Sequence, residues 1–199
     1  MRSWLFTAAL AAAIGTLSSA DAAVVFQTSA ASQFETRSAG SNFTTVLSVS
    51  EAVAISNIAQ ENDLNGNGSM RFFIFDASSG QALYLSNAQA FVDDGLTYKT
   101  SDPFSFTFLP GTSYSVGAVA NVRAIYGDVF GPITSSNGIT SVVSNQNVDG
   151  FDTVTLETGH ACCDSRIQLI AADTPVPEPM SLALLGAGLA GLGIIRRRG

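Results

Sequence analysis

Asp102-Pro103-Phe104-Ser105-Phe106-Thr107-Phe108, followed after Leu109-Pro110-Gly111-Thr112 by Ser113-Tyr114-Ser115-Val116-Gly117-Ala118-Val119-Ala120, decides how this chain folds. Phe104, Phe106 and Phe108 alternate with Ser105 and Thr107, and a period of two puts all three rings on one face of a strand. Proline fixes φ and lacks an N–H, so Pro103 opens this strand and Pro110-Gly111 closes it. Tyr114, Val116, Ala118 and Ala120 alternate in the same way. The two segments are expected to pair as a hairpin.

Working outward, Arg71-Phe72-Phe73-Ile74-Phe75-Asp76 is apolar at four successive positions, as a central strand covered on both faces must be. Ala77-Ser78-Ser79-Gly80 turns the chain into Ala82-Leu83-Tyr84-Leu85. Further strands are expected over residues 24–28, 43–49, 51–58, 90–92, 139–143, 148–156 and 166–171. Short strands separated by turn residues, with no helical periodicity between them, predict an all-β domain over residues 23–172. The expected architecture is an antiparallel β-sandwich, jelly-roll-like.

Charge narrows the function. Between positions 23 and 174 there are five basic and fourteen acidic residues, a net of −9, and the basic ones do not cluster. Such a surface repels phosphate backbones, which argues against nucleic acid as a partner. The mean hydropathy of the whole chain, +0.29, is high because its two ends are apolar.

Residues 1–22 read as a secretory signal peptide. Arg2 supplies the positive start, Trp4 to Leu17 the apolar stretch, and Ala20 with Ala22 the small-residue cleavage pair, so the mature chain begins at Ala23 after export by the Sec machinery. At the other end, residues 173–179 form a proline-rich linker that cannot enter a helix or a central strand. Residues 180–195 carry no charge and predict a short transmembrane helix of about 24 Å. Residues 196–199 are a basic tail whose Arg196, Arg197 and Arg198 should stay cytoplasmic and fix the topology.

A proline-rich tether, a short apolar helix and terminal arginines, in that order and around Val176-Pro177-Glu178-Pro179, resemble the PEP-CTERM sorting signal. The resemblance implies processing by an exosortase, a membrane-embedded cysteine-type enzyme, in a Gram-negative host that makes exopolysaccharide. It also implies an exported precursor held transiently in the inner membrane, loss of the helix, and delivery of the body to the cell surface or extracellular matrix. An uncut tail anchor is the alternative, and it leaves the Pro-Glu-Pro unexplained.

Chemistry-bearing residues are few. The one histidine, His160, is expected in a Gly159-His160-Ala161 turn, and there is no G-x-S-x-G elbow, so no catalytic residue is assigned and no cofactor is expected. A zinc site of His160, Cys162, Cys163 and Asp164 fits poorly, because adjacent cysteines do not suit one tetrahedral ion. Cys162 and Cys163 can form a vicinal disulfide, bond to another chain, or stay as thiols. Asp63-Leu64-Asn65-Gly66-Asn67-Gly68 matches the opening of a calcium loop, but its twelfth position is Ile74, not a bidentate Glu. The stretch is therefore read as an Asx- and Gly-rich turn, with weak calcium binding by Glu61, Asp63, Asn65 and Asn67 as the alternative. Asp93-Asp94-Gly95 is likewise a turn. Tyr84, Tyr98, Tyr114 and Tyr126 are the candidates for a sugar-stacking platform. Together these features predict a non-enzymatic surface or matrix protein, with a polysaccharide-binding module of the exopolysaccharide matrix as the alternative.

Overall fold

Phe72, Phe73, Ile74 and Phe75 offer water no polar face, so the strand that carries them has to be covered on both sides. A computed structural model describes residues 23–31, 33–129, 134–142, 145–160 and 164–171, and shows how this is done. The expectations for residues 1–22, with Ala20 and Ala22, for Cys162 and Cys163, and for 173–199, with Val176 to Pro179 and the three arginines, lie outside the described residues.

The described residues are all-β, in antiparallel sheets. One sheet holds β4 (Thr45–Val49), β6 (Gly68–Asp76), β7 (Ala82–Leu85), β8 (Gln89–Phe91), β11 (Ser113–Ala120), β13 (Ser135–Ser136) and β14 (Ile139–Val142). Its order is β13-β14-β4-β11-β6-β7, with β8 also on β6. A second sheet is organised on the long strand β5 (Val53–Leu64). It adds β1 (Val24–Gln27), β2 (Gln33–Arg37), β9 (Thr97–Thr100), β10 (Phe106–Phe108), β12 (Ala124–Val129), β17 (Asp164–Ser165) and β18 (Ile167–Ala171). A small third sheet is β16 (Thr155–His160), β15 (Asn145–Asp149) and β3 (Ser41–Phe43).

The two large sheets meet face to face in a sandwich-like core. Leu47, Phe72, Ile74 and Val116 from one sheet bury against Phe26, Ile55, Ile58, Tyr126 and Leu169 from the other. Phe73 and Phe75 point the opposite way and are covered, with Val119, by Val148 and Val154 beside the third sheet. Each such buried Phe or Leu stabilises the fold by about 1.5–3 kcal/mol relative to exposure. The run of four apolar residues is thus read correctly as a strand buried on both faces.

The third sheet exists because one strand changes partner. β3 and β4 are separated only by Thr44, yet they belong to different sheets. β4 pairs with β11 from Ser113 to Val116 and then turns away. The Ala118 peptide would be left unpaired and buried, which is costly. Two buried amides take the place of the departing strand: Ala118 N–H donates to Gln60 Oε1 at 2.5 Å, and Asn42 Nδ2 donates to the Ala118 carbonyl at 2.6 Å. Around the same point, the Thr44 and Ser115 hydroxyls share a hydrogen bond of 2.6 Å. Thr45 Oγ1 donates to the Ser165 carbonyl at 2.7 Å, and Ser165 Oγ donates to that of Phe43 at 2.8 Å.

Three strand expectations need correction. The segments at 104–108 and 114–120 do not form a hairpin: β10 pairs with β5, and β11 pairs with β4 and β6. Leu109 to Thr112 instead cross between the sheets, so that Phe108 and Tyr114 meet edge to face at 4.8 Å. That aromatic contact across the core outweighs a local turn. Residues 148–156 are not one strand but the hairpin β15–β16, broken at Gly150, whose φ of +84° suits glycine. The strand expected at 51–58 runs on to Leu64, because β9, β12 and β18 all pair with its continuation.

Replacing Gln60 by Leu, or Asn42 by Ala, strips one hydrogen bond from the Ala118 peptide inside the core. Each change is expected to lower stability by about 1–3 kcal/mol, read as a lower urea midpoint, whereas Thr107→Ala on an exposed position should stay within about 0.5 kcal/mol.

Candidate functional site

The polar turns gather at one end of the molecule. Gly66, with φ +95°, lets the β5–β6 connection turn sharply. Gly66 N–H donates to Asp93 Oδ2 at 3.1 Å, Asp93 N–H donates to Asn67 Oδ1 at 2.9 Å, and Asn65 N–H donates to the Arg123 carbonyl at 2.9 Å. Asn67 and Asp93 thereby brace two loops against each other. Lys99, the only lysine of the chain, is buried and pairs with Asp94, with Thr97 Oγ1 at 2.6 Å. Burial pushes its ammonium below the usual value, while the negative fields of Asp63 and Asp93 work the other way. Among the described residues, no group of three or more His, Cys, Asp or Glu is arranged to hold a metal ion.

Three depressions line up across this end. The first, about 270 Å³, has Asp63, Asn65, Asp93, Arg123 and Thr36 on its walls. Beyond the Asn67–Asp93 brace lies a second of about 440 Å³, walled by Asn67, Phe91, Val92 and Asn121. Asn121 also forms a wall of the third, about 470 Å³, with Gly40, Asp149, Phe151 and Asp152. Asn121 Oδ1 accepts the Ser69 N–H at 2.7 Å, which orients its amide. Gly68 permits this approach, since a Cβ there would lie 2.7 Å from Val122 Cγ2. Arg71 sits 5.6 Å from the centre of the Phe151 ring and donates to the Asp152 carbonyl at 3.2 Å, so its charge is already engaged.

The four tyrosines are not assembled into one platform. Tyr114 and Tyr126 are buried in the core, and Tyr84 stacks on Phe104 at 3.9 Å. Tyr98 is half-buried beside Arg166, whose guanidinium lies 5.4 Å from its ring centre. Arg166 in turn donates to Glu61 Oε1 at 2.5 Å. Gly127 makes room for that pair, because a Cβ there would come within 2.7 Å of Glu61 Oε2. His160 is the last residue of β16 and pairs with Asn145, a correction to the turn expected for it. The β15–β16 pairing extends past the Gly159 that suggested a turn.

Two acids are buried away from all three depressions. Asp128 and Asp164 are 1% and 3% exposed. Loss of hydration, helped at Asp128 by the neighbouring Glu35 and opposed at Asp164 by a bond to Ser141, pushes each carboxyl up to about 7.

The sequence expectations placed Asn65 and Asp93 correctly in connections between strands, whereas Asp63, expected in the same turn, is still in β5 and pairs with Ile125; all three line the first depression. The expectations missed Asn121, Phe91, Phe151, Asp149 and Asp152. The signal was present at Asp149-Gly150, an Asp-Gly dipeptide that marks a turn inside the strand expected over 148–156. The segment that follows β18, beyond the described residues, supplies the assignment that geometry alone does not. Residues 175–198 match the family model of the PEP-CTERM protein-sorting motif. The PEP-CTERM motif implies exosortase processing of an exported, membrane-anchored precursor bound for the cell surface. No curated protein matches the chain.

The buried acids give the body of this PEP-CTERM-tagged chain an unusual pH response. With a folded value near 7 against an ordinary 3.8, Asp128 and Asp164 hold protons in the folded state that the unfolded chain has already released. Stability should therefore fall as pH rises from about 4 to about 7 and stay low above that. Thermal melts are expected to show a higher midpoint near pH 5 than near pH 8, and Asp164→Asn should flatten the difference; a midpoint that rises with pH would contradict this.

Proposed function

We propose that this chain is a non-enzymatic β protein of the cell envelope or extracellular matrix, delivered there by exosortase processing. The match of residues 175–198 to the sorting motif carries the reading. In this account the Sec machinery exports the precursor and a signal peptidase cuts before Ala23. The helix at 180–195 then holds the precursor in the inner membrane, with Arg196 to Arg198 in the cytoplasm, until the tether is cut. A jelly-roll-like sandwich suits this task, since its core needs no ligand to close.

The body is built to be handled from one end. β1 and β18 are antiparallel neighbours, with Val24 opposite Ile170, and Ala171 N–H donates to the Ala23 carbonyl at 2.8 Å. The chain therefore enters and leaves the domain at the same place. Both processing sites can then be reached without opening a sheet. The non-enzymatic reading is supported by the carboxyls with raised pKa, which are buried in the fold and line none of the depressions.

Glu178 is the charged residue nearest the outer end of the apolar helix, with only Pro179 between it and Met180, which makes it the specificity contact for the processing enzyme. Glu178→Ala should leave the uncut precursor in the inner membrane while the body folds normally, as judged by fractionation and immunoblotting. Delivery of that variant to the surface at the normal size would contradict the sorting role.

A further inference from the structure

We propose that the second and third depressions form one binding groove for a neutral or amino-substituted polysaccharide. The two share Asn121 as a common wall, and each has a volume in the range of small-molecule sites, about 440 and 470 Å³. Each also presents one half-buried phenylalanine, Phe91 in one and Phe151 in the other. A pyranose ring has an apolar C–H face that suits an aromatic wall and a rim of hydroxyls that needs amides and carboxylates. Both kinds of partner are present. Asn121 has its oxygen engaged by Ser69, which leaves its Nδ2 hydrogens to donate. The carboxylates of Asp149 and Asp152 make no hydrogen bond or ion pair among the described residues.

Charge selects the class of sugar. No Lys or Arg lines either depression, and the nearby Arg71 is engaged by Phe151 and the Asp152 carbonyl. Two carboxylates on a body of net charge −9 repel uronates and sulfated sugars, and they tolerate or attract neutral and amino sugars. A peptide adding as a strand has no place to pair here. Residues 68–70 already pair with β8 on one edge, and on the other edge Met70 faces Ala120 of β11 while Asn121 N–H bonds the Ser69 carbonyl.

Position supports the same conclusion. Ala171, where the chain leaves toward the tether, lies opposite Ile55 near the start of β5, whereas the groove is built on the turn that follows Leu64 at its other end. Nine residues of strand separate these points by about 30 Å. The groove thus lies at the end of β5 opposite the tether, clear of the segment that the processing enzyme has to reach.

The full exported chain, tested on an array of neutral, amino and uronate oligosaccharides, should bind members of the first two groups and not the third. The double variant Asp149→Asn, Asp152→Asn should lose at least tenfold in affinity with an unchanged melting midpoint. Failure to bind any sugar, preference for uronates, capture of peptides instead, or undiminished binding by the double variant would each overturn the proposal. Hydrolysis of a bound oligosaccharide would count against the non-enzymatic reading while leaving the binding site in place.

Discussion

The Ala118 peptide, held by the side chains of Gln60 and Asn42, is the point on which the arrangement of the three sheets depends. A β-strand edge buried without partners is not tolerated, so β4 could not leave β11 at Thr44 unless something replaced it. The two amides make the replacement, and they come from opposite directions, one from β5 and one from β3. Because β4 is released, β3 can reach β15, and the third sheet can cover Phe73 and Phe75. The same departure sets the Gly150 turn beside Gly40 and Asn121, and so builds the third depression. A core polar contact and a surface groove are thus two ends of one structural chain of cause.

Electrostatics tell a consistent story. Fourteen acids against five bases in the body would repel one another if spread at random. Instead three of the bases are placed beside acids: Arg37 with Glu35, Lys99 with Asp94, and Arg166 with Glu61. The Arg37–Glu35 pair is partly exposed and contributes little to stability, whereas Lys99 and Glu61 are buried, and each has its charge met by a partner instead of being left alone in the fold. Among the described residues, the remaining acids are either at least partly exposed, where they favour solubility, or buried with their protons retained, as at Asp128 and Asp164. The second arrangement ties the stability of the body to the pH around it.

Much of the fold was legible because its signals are local. Phe72 to Phe75 announced a strand buried on both faces, and Ala77 to Gly80 announced the turn into β7, where Gly80 N–H bonds the Asp76 carbonyl at 2.9 Å. β2 and β9 were illegible for the opposite reason. Gln33–Arg37 and Thr97–Thr100 carry few apolar residues, and they are strands only because β12 and β5 offer them edges to pair with. The expected hairpin at 104–120 failed because alternation states that a segment is a strand and says nothing about its neighbour. The candidate groove was the least legible part. Its walls come from residues 40, 67, 91, 121 and 149–152, which only the three-sheet topology brings together. The sorting signal, by contrast, is a linear motif and needs no fold to be read.

The most direct measurement of the central claim is the intact mass of the protein released from the cell surface. Exosortase-dependent delivery predicts a single species that begins at Ala23, lacks the apolar helix at 180–195 and the arginines beyond it, and ends within the proline-rich linker. A surface species that retains residues 180–199 would identify a permanent membrane anchor and contradict the account.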